Sequence, residues 1–88
     1  TDIGKPLSLF VISKDRLFDP KEIHSKGFRV LLINNGIHPG EPDGIDACIE
    51  LTRSLLANPA GLPENVIICI IPVYNIDGCL NIFLRNYL

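Results

Sequence analysis

Two residues in this chain have the types and spacing for metal chemistry. His38 and Glu41 stand three apart in the stretch Asn34-Asn35-Gly36-Ile37-His38-Pro39-Gly40-Glu41-Pro42-Asp43. A neutral imidazole nitrogen and a carboxylate oxygen are both ligands that Zn²⁺ accepts, and a catalytic zinc needs such ligands together with an open position. The pair taken alone has a simpler account: a polar loop, with Glu41 close to a helix N-terminus where the helix dipole favours an acid.

Position adds weight to the chemical account. The apolar run Val30-Leu31-Leu32-Ile33 precedes the stretch and an amphipathic pattern follows it. A strand ending in a glycine- and proline-rich turn that leads into a helix is therefore predicted. Open α/β sheets bind ligands at the carboxyl ends of their strands.

The elements that must position the pair follow from hydropathy patterning. Residues 7–13 read as a strand with Leu7, Leu9 and Val11 on one face and Phe10 and Ile12 on the other, a pattern that predicts cover on both sides. Asp19-Pro20 predicts a short helical turn with Asp19 as N-cap and Pro20 in the first helical position, ended by Gly27. His24 falls there among Lys21, Glu22 and Lys26 and reads as a solvated loop histidine. Residues 28–35 read as a second, interior strand. Its two terminal asparagines need hydrogen-bond partners, either to satisfy the turn or to shape a ligand loop.

Residues 43–58 give the clearest helix. Ile45, Cys48, Ile49, Thr52, Leu55 and Leu56 fall on one stripe, and Asp46, Glu50, Arg53 and Ser54 face away, with Glu50 and Arg53 spaced to pair. Pro42 suits the first turn, and Asn58-Pro59-Ala60-Gly61 ends the helix. Residues 65–71 are apolar on both faces and should be the central strand. Strand, helix and strand in succession make a right-handed parallel βαβ unit. The expected spatial order is the first strand, then the third, then the second.

Composition bounds the alternatives. The chain has 88 residues, is 47% hydrophobic and carries a formal net charge of −2 with scattered basic residues. Nothing in this resembles a nucleic-acid footprint, and no apolar run reaches the length of a membrane span. Cys48, Cys69 and Cys79 form no Cys-x-x-Cys pair, which argues against a disulfide framework or a zinc knuckle. Cys48 and Cys69 fall in apolar patterns and read as buried free thiols; Cys79 follows a turn and is left unplaced.

The string Asn35-Gly36-Ile37-His38-Pro39-Gly40-Glu41-Pro42-Asp43-Gly44 resembles the first zinc motif of the M14 zinc carboxypeptidases, especially bacterial members with His-Pro-Gly-Glu. A second likeness supports it: Asn75-Ile76-Asp77-Gly78 resembles the Asn-Pro-Asp-Gly turn that follows the equivalent next strand, with Ile76 in place of the proline. An ordinary Asp-Gly turn is the alternative for the second segment. The resemblance covers roughly residues 7–81.

It implies a partial zinc-carboxypeptidase-like three-layer α/β fold: a three-stranded mixed sheet with one long helix in a βαβ unit and the first strand antiparallel. It also implies Zn²⁺ as cofactor, His38 and Glu41 as two of three protein ligands, a peptide substrate cleaved at its C-terminal bond, and a periplasmic or secreted setting. The third ligand, the general-base glutamate and the substrate-binding arginines lie further along in that family. The expectation is therefore an N-terminal portion of a catalytic domain, with no catalytic residue of its own, and Arg85 is left unassigned. Two alternatives stay open: a non-catalytic metal-binding or interaction module derived from such an enzyme, and an aspartoacylase-type zinc acylase. A sheet face left bare by a single long helix, together with an open outer edge on the strand at Val30–Asn34, predicts self-association, most simply a two-fold dimer burying the bare face, with the apolar tail around Phe83-Leu84 as the alternative cover.

Overall fold

The computed structural model describes the backbone of residues 1–87 and the side-chain surroundings of residues 1–81. Strand β1 (Phe10–Ile12), helix α1 (Pro20–Ser25), strand β2 (Arg29–Asn34), helix α2 (Asp43–Ala57), a 3-10 turn (Pro59–Gly61), strand β3 (Val66–Ile71) and helix α3 (Ile76–Tyr87) follow in chain order. The result is a mixed α/β arrangement around a three-stranded mixed sheet of order β1-β3-β2. β2 runs parallel to β3 with Arg29 beside Val66 and Asn34 beside Ile71. β1 is antiparallel to β3, with Phe10 opposite Ile70.

The strand richest in Ile is the central one because it alone has neighbours on both sides. Ile67 and Ile70 are fully buried. Alternation along β3 sends its residues into two small cores. On one face Ile68 and Ile70 pack with Ile12, Cys48 and Leu62; on the other Ile67 packs with Leu17 and Ile23. α2 supplies Cys48 to the first core and α1 supplies Ile23 to the second.

Local signals act as their chemistry dictates. The Asp19 carboxylate accepts from the Lys21 amide at 3.0 Å and caps α1, with Pro20 in the first turn. Gly27 closes α1 in the left-handed region at φ 71°. Pro42 occupies the N-cap position of α2.

Several expectations need correction. β1 is only three residues long, and Leu7, Leu9, Phe10 and Val11 are exposed, so the first strand is not covered on both sides. β2 is not interior: Val30, Leu31 and Leu32 are 51–57% exposed, because β2 is an edge strand and α2 buries chiefly Cys48 against the central strand. On α2, Ile49 and Leu56 remain exposed while Ile45, Thr52 and Leu55 are half-buried. Among the described residues Glu50 and Arg53 do not form an ion pair. Cys69 is half-buried rather than buried, since α1 shields Ile67 more fully.

α2 is not the only long helix. Asn75-Ile76-Asp77-Gly78 is the start of twelve-residue α3, not a free turn, and Cys79 lies in it. Cover by Phe83 and Leu84 lies outside the described side chains. No helix among the described residues is long and apolar enough to cross a membrane.

Candidate metal site

The site is built where two parallel strands end. Beyond β2 and β3 the chains stay together through three backbone bonds: Asn35 N–H to the Ile71 carbonyl (3.0 Å), Tyr74 N–H to the Asn35 carbonyl (2.8 Å) and Asn75 N–H to the Gly36 carbonyl (2.9 Å). The loop carrying His38 is thereby fixed to the loop that opens α3.

Asn75 adds the decisive side-chain links. Its Nδ2 donates to the Ile37 carbonyl at 3.1 Å, next to His38, and its Oδ1 accepts from the Gly78 amide at 3.0 Å. The second contact is an N-cap, satisfying one of the amides a helix start leaves orphaned. One residue therefore starts α3 and restrains the loop that carries His38. Asp77 serves the same rim from outside, its Oδ2 accepting from the Asp2 amide at 3.1 Å.

Two glycines let the loops approach this closely. Gly36 has φ 68°, and a Cβ there would sit 2.9 Å from the Val73 Cα. A side chain would meet both a disfavoured backbone conformation and a backbone atom. At Gly78 a Cβ would lie 2.8 Å from Cγ of Pro39, the residue after His38.

The asparagines ending β2 divide their work. Asn34 is exposed, whereas Asn35 uses its main chain to bridge the loops and lays its side chain against Gly44 in the first turn of α2. The Asn35 Nδ2 is buried with no hydrogen-bond partner. Its side chain does not satisfy the turn; the Asn75 side chain does.

His38 and Glu41 come together. Nδ1 of His38 lies 3.4 Å from Oε2 of Glu41, and both side chains are 73% exposed. A charge-assisted N–H···O bond is about 2.7–2.9 Å long, so the two groups face each other without satisfying each other. The spacing suits a shared ion: zinc–nitrogen and zinc–oxygen bonds of about 2.0–2.1 Å at a tetrahedral angle separate two ligand atoms by roughly 3.3–3.4 Å. The pair is thus compatible with zinc in ligand type and in separation, as two of the three protein ligands a catalytic site needs.

The pair borders an open groove of about 490 Å³ lined by residues from Asn34 to Gly44. Asp43 also lines it, and Asp43 and Asp46 make the first turn of α2 acidic. This charge favours a cation over an anion. Among the described residues no third His, Cys, Asp or Glu stands close enough to complete a ligand set. His24 is exposed on α1 and is not part of the site.

Cys79 is the neighbour that the sequence left unplaced: it lines a smaller cleft of about 270 Å³ shared with His38 and Glu41. Asn75 was singled out as part of a turn-like segment; what that reading lacked was its cap on α3 and its bond to the Ile37 carbonyl, for which an Asn standing directly before an acidic first helical turn was the signal. No family model, curated protein or solved structure matches this chain.

Proposed function

We propose that these residues form the N-terminal part of the catalytic domain of a zinc metallocarboxypeptidase of the M14 type, which hydrolyses C-terminal peptide or amide bonds. The observation that carries the reading is the His38–Glu41 spacing of 3.4 Å at the carboxyl end of a parallel strand. The tie from Asn75 to the same loop supports it, because both segments that resemble the family then meet on one rim.

In this reading His38 offers a neutral imidazole nitrogen and Glu41 a carboxylate oxygen, while Asn75 and Gly36 hold their loop in place. Zinc bound there would lower the pKa of a coordinated water and polarise the scissile carbonyl. The third ligand and the general base are assigned outside these 88 residues, so the chain by itself should hydrolyse no carboxypeptidase substrate.

Calorimetry with Zn²⁺ tests the metal assignment. Weak binding, far below that of a closed four-ligand site, is expected for the wild type and should disappear in His38→Ala. Tight binding indifferent to that substitution refutes it. The reaction is tested on the gene product containing these residues. Release of the terminal residue from a blocked dipeptide, abolished by chelation and by Glu41→Gln, is expected; chelator-resistant release, or no release by a folded, zinc-loaded product, refutes the enzyme reading.

A further inference from the structure

We infer that Asn35-Gly36 is a site of spontaneous covalent modification, where the Gly36 backbone nitrogen closes on the Asn35 side chain, expels ammonia and leaves isoaspartate or aspartate at position 35. The inference rests on the rim and is independent of the zinc assignment.

Asn35 is the only asparagine of the chain followed by glycine. Ring closure brings the nitrogen of the next residue onto the side-chain carbon Cγ, and a Cβ on that residue obstructs the approach. The fold forbids such protection here. Gly36 has φ 68°, and a Cβ there would sit 2.9 Å from the Val73 Cα, so the rim forms with glycine at this position. The requirement that lets the two loops approach also keeps the labile dipeptide in place.

The atoms that react are the ones left without partners. Among the described residues no acceptor takes the Gly36 N–H. The leaving group, Asn35 Nδ2, is buried and makes no hydrogen bond. Its departure breaks none and removes an unpaired buried donor. That atom is already out of contact with solvent, so a further segment or partner supplies no acceptor to it without first opening the rim. The Oδ1 lies against Gly44, 2.8 Å from where a Cβ would stand. Gly44 is in the first turn of α2, which has no side-chain cap. The partial positive charge of that turn favours the negative charge that grows on Oδ1 as the ring closes. Asn75 differs on each count: its amide is engaged at both ends and Ile76 follows it. Asp43-Gly44 and Asp77-Gly78 have the small neighbour but lie in α2 and α3, where helical bonding fixes the backbone.

Solvent base takes the Gly36 N–H proton as the N–Cγ bond forms. The Cγ–Nδ2 bond then breaks, and Nδ2 takes up a proton and leaves as ammonia. Water opens the resulting five-membered imide. Addition at the former Asn35 carbonyl carbon leaves the main chain running through Cβ and Cγ, which is isoaspartate; addition at Cγ gives aspartate. Either product makes the formal net charge of −2 one unit more negative.

The rim sets the rate. The Asn35 N–H donates to the Ile71 carbonyl at 3.0 Å, and the Asn35 carbonyl accepts from the Tyr74 N–H at 2.8 Å. Closing the ring swings that carbonyl and breaks the second bond, so the reaction proceeds from a locally opened rim. Isoaspartate then lengthens the main chain between the Ile71 bond and the Gly36–Asn75 bond, and the rim no longer closes in register.

The test incubates the folded chain in mildly alkaline buffer at physiological temperature and follows every asparagine by peptide mapping with isoaspartate detection. Conversion should be confined to Asn35, slower than in the same chain unfolded in urea, and absent at position 35 in Asn35→Gln, whose longer side chain closes a less favourable six-membered ring. Asn75→Ala removes the tie to Ile37 and should convert about five- to thirtyfold faster by populating the open rim. Asp19→Ala, on α1, should convert at the wild-type rate. If Asn75→Ala does not fold, Asn75→Asp replaces it, keeping the cap acceptor and losing the donor to Ile37. A folded chain still intact at Asn35 after the unfolded chain has been converted, conversion spread evenly over the asparagines, or no acceleration in a folded Asn75 variant overturns the inference.

Discussion

The loop rim and the β2 edge are both made from the same short segment, yet they are built in opposite ways. At the rim, the ends of β2 and β3 are tied by backbone bonds, by both ends of the Asn75 amide and by glycines that admit close approach. A few residues earlier, Val30, Leu31 and Leu32 stand exposed, and the backbone groups of Val30 and Leu32 turn away from β3. Hydrogen bonding and steric fit hold the first region to one geometry, which a metal site needs. The second has a neighbouring strand on one side only among the described residues. The difference teaches that apolar character alone does not tell a central strand from an open edge; the strands beside it do.

The largest contrast should come from equally apolar residues on the two strands. Ile70→Ala removes a fully buried side chain and should cost about 2–5 kcal/mol in urea unfolding. Leu32→Ala, at an exposed side chain, should change the stability of the folded chain by less than about 0.5 kcal/mol. Similar losses for both would break the comparison.

Glycines sharpen it next. Gly36→Ala meets a positive φ and the Val73 backbone, for an expected loss of about 2–3 kcal/mol. Gly27→Ala meets a positive φ with open space around it and should lose only about 1 kcal/mol. The order of the two urea midpoints is the readout.

Caps give smaller differences. Asn75→Ala removes the α3 cap and the bond to Ile37, and should cost about 1–2 kcal/mol while weakening zinc binding. Asp19→Ala removes only the α1 cap and should cost about 1 kcal/mol or less with zinc binding unchanged. A drop in zinc affinity for Asp19→Ala equal to that for Asn75→Ala would show that the rim is not separately organised.

Much of this arrangement was legible in the sequence because its causes are local. Asp19-Pro20 carries its own capping chemistry, the stripe through Cys48 and Leu55 has a helical period, and residues 65–71 are apolar on both faces. The strand order followed from connection rules. What was not legible depends on neighbours. Val30-Leu31-Leu32-Ile33 reads the same in an interior strand and in an open edge. Asp77-Gly78 reads as a turn because both residues disfavour helix interiors; only the cap from Asn75 reveals a helix start. His38 and Glu41 were visible by type and spacing; the bond that ties their loop to Asn75, 38 positions from Ile37 in sequence, was not.

The most direct measurement of the central claim is the X-ray absorption spectrum of the zinc-loaded chain. The account predicts a first shell of nitrogen and oxygen at about 2.0–2.1 Å, with the scattering signature of one imidazole, lost in His38→Ala. A sulfur at about 2.3 Å would place the metal on a cysteine such as Cys79, and two imidazoles would bring in His24. A shell that keeps its imidazole in His38→Ala, or is unchanged in Glu41→Gln, would contradict the assignment of His38 and Glu41 as the ligand pair.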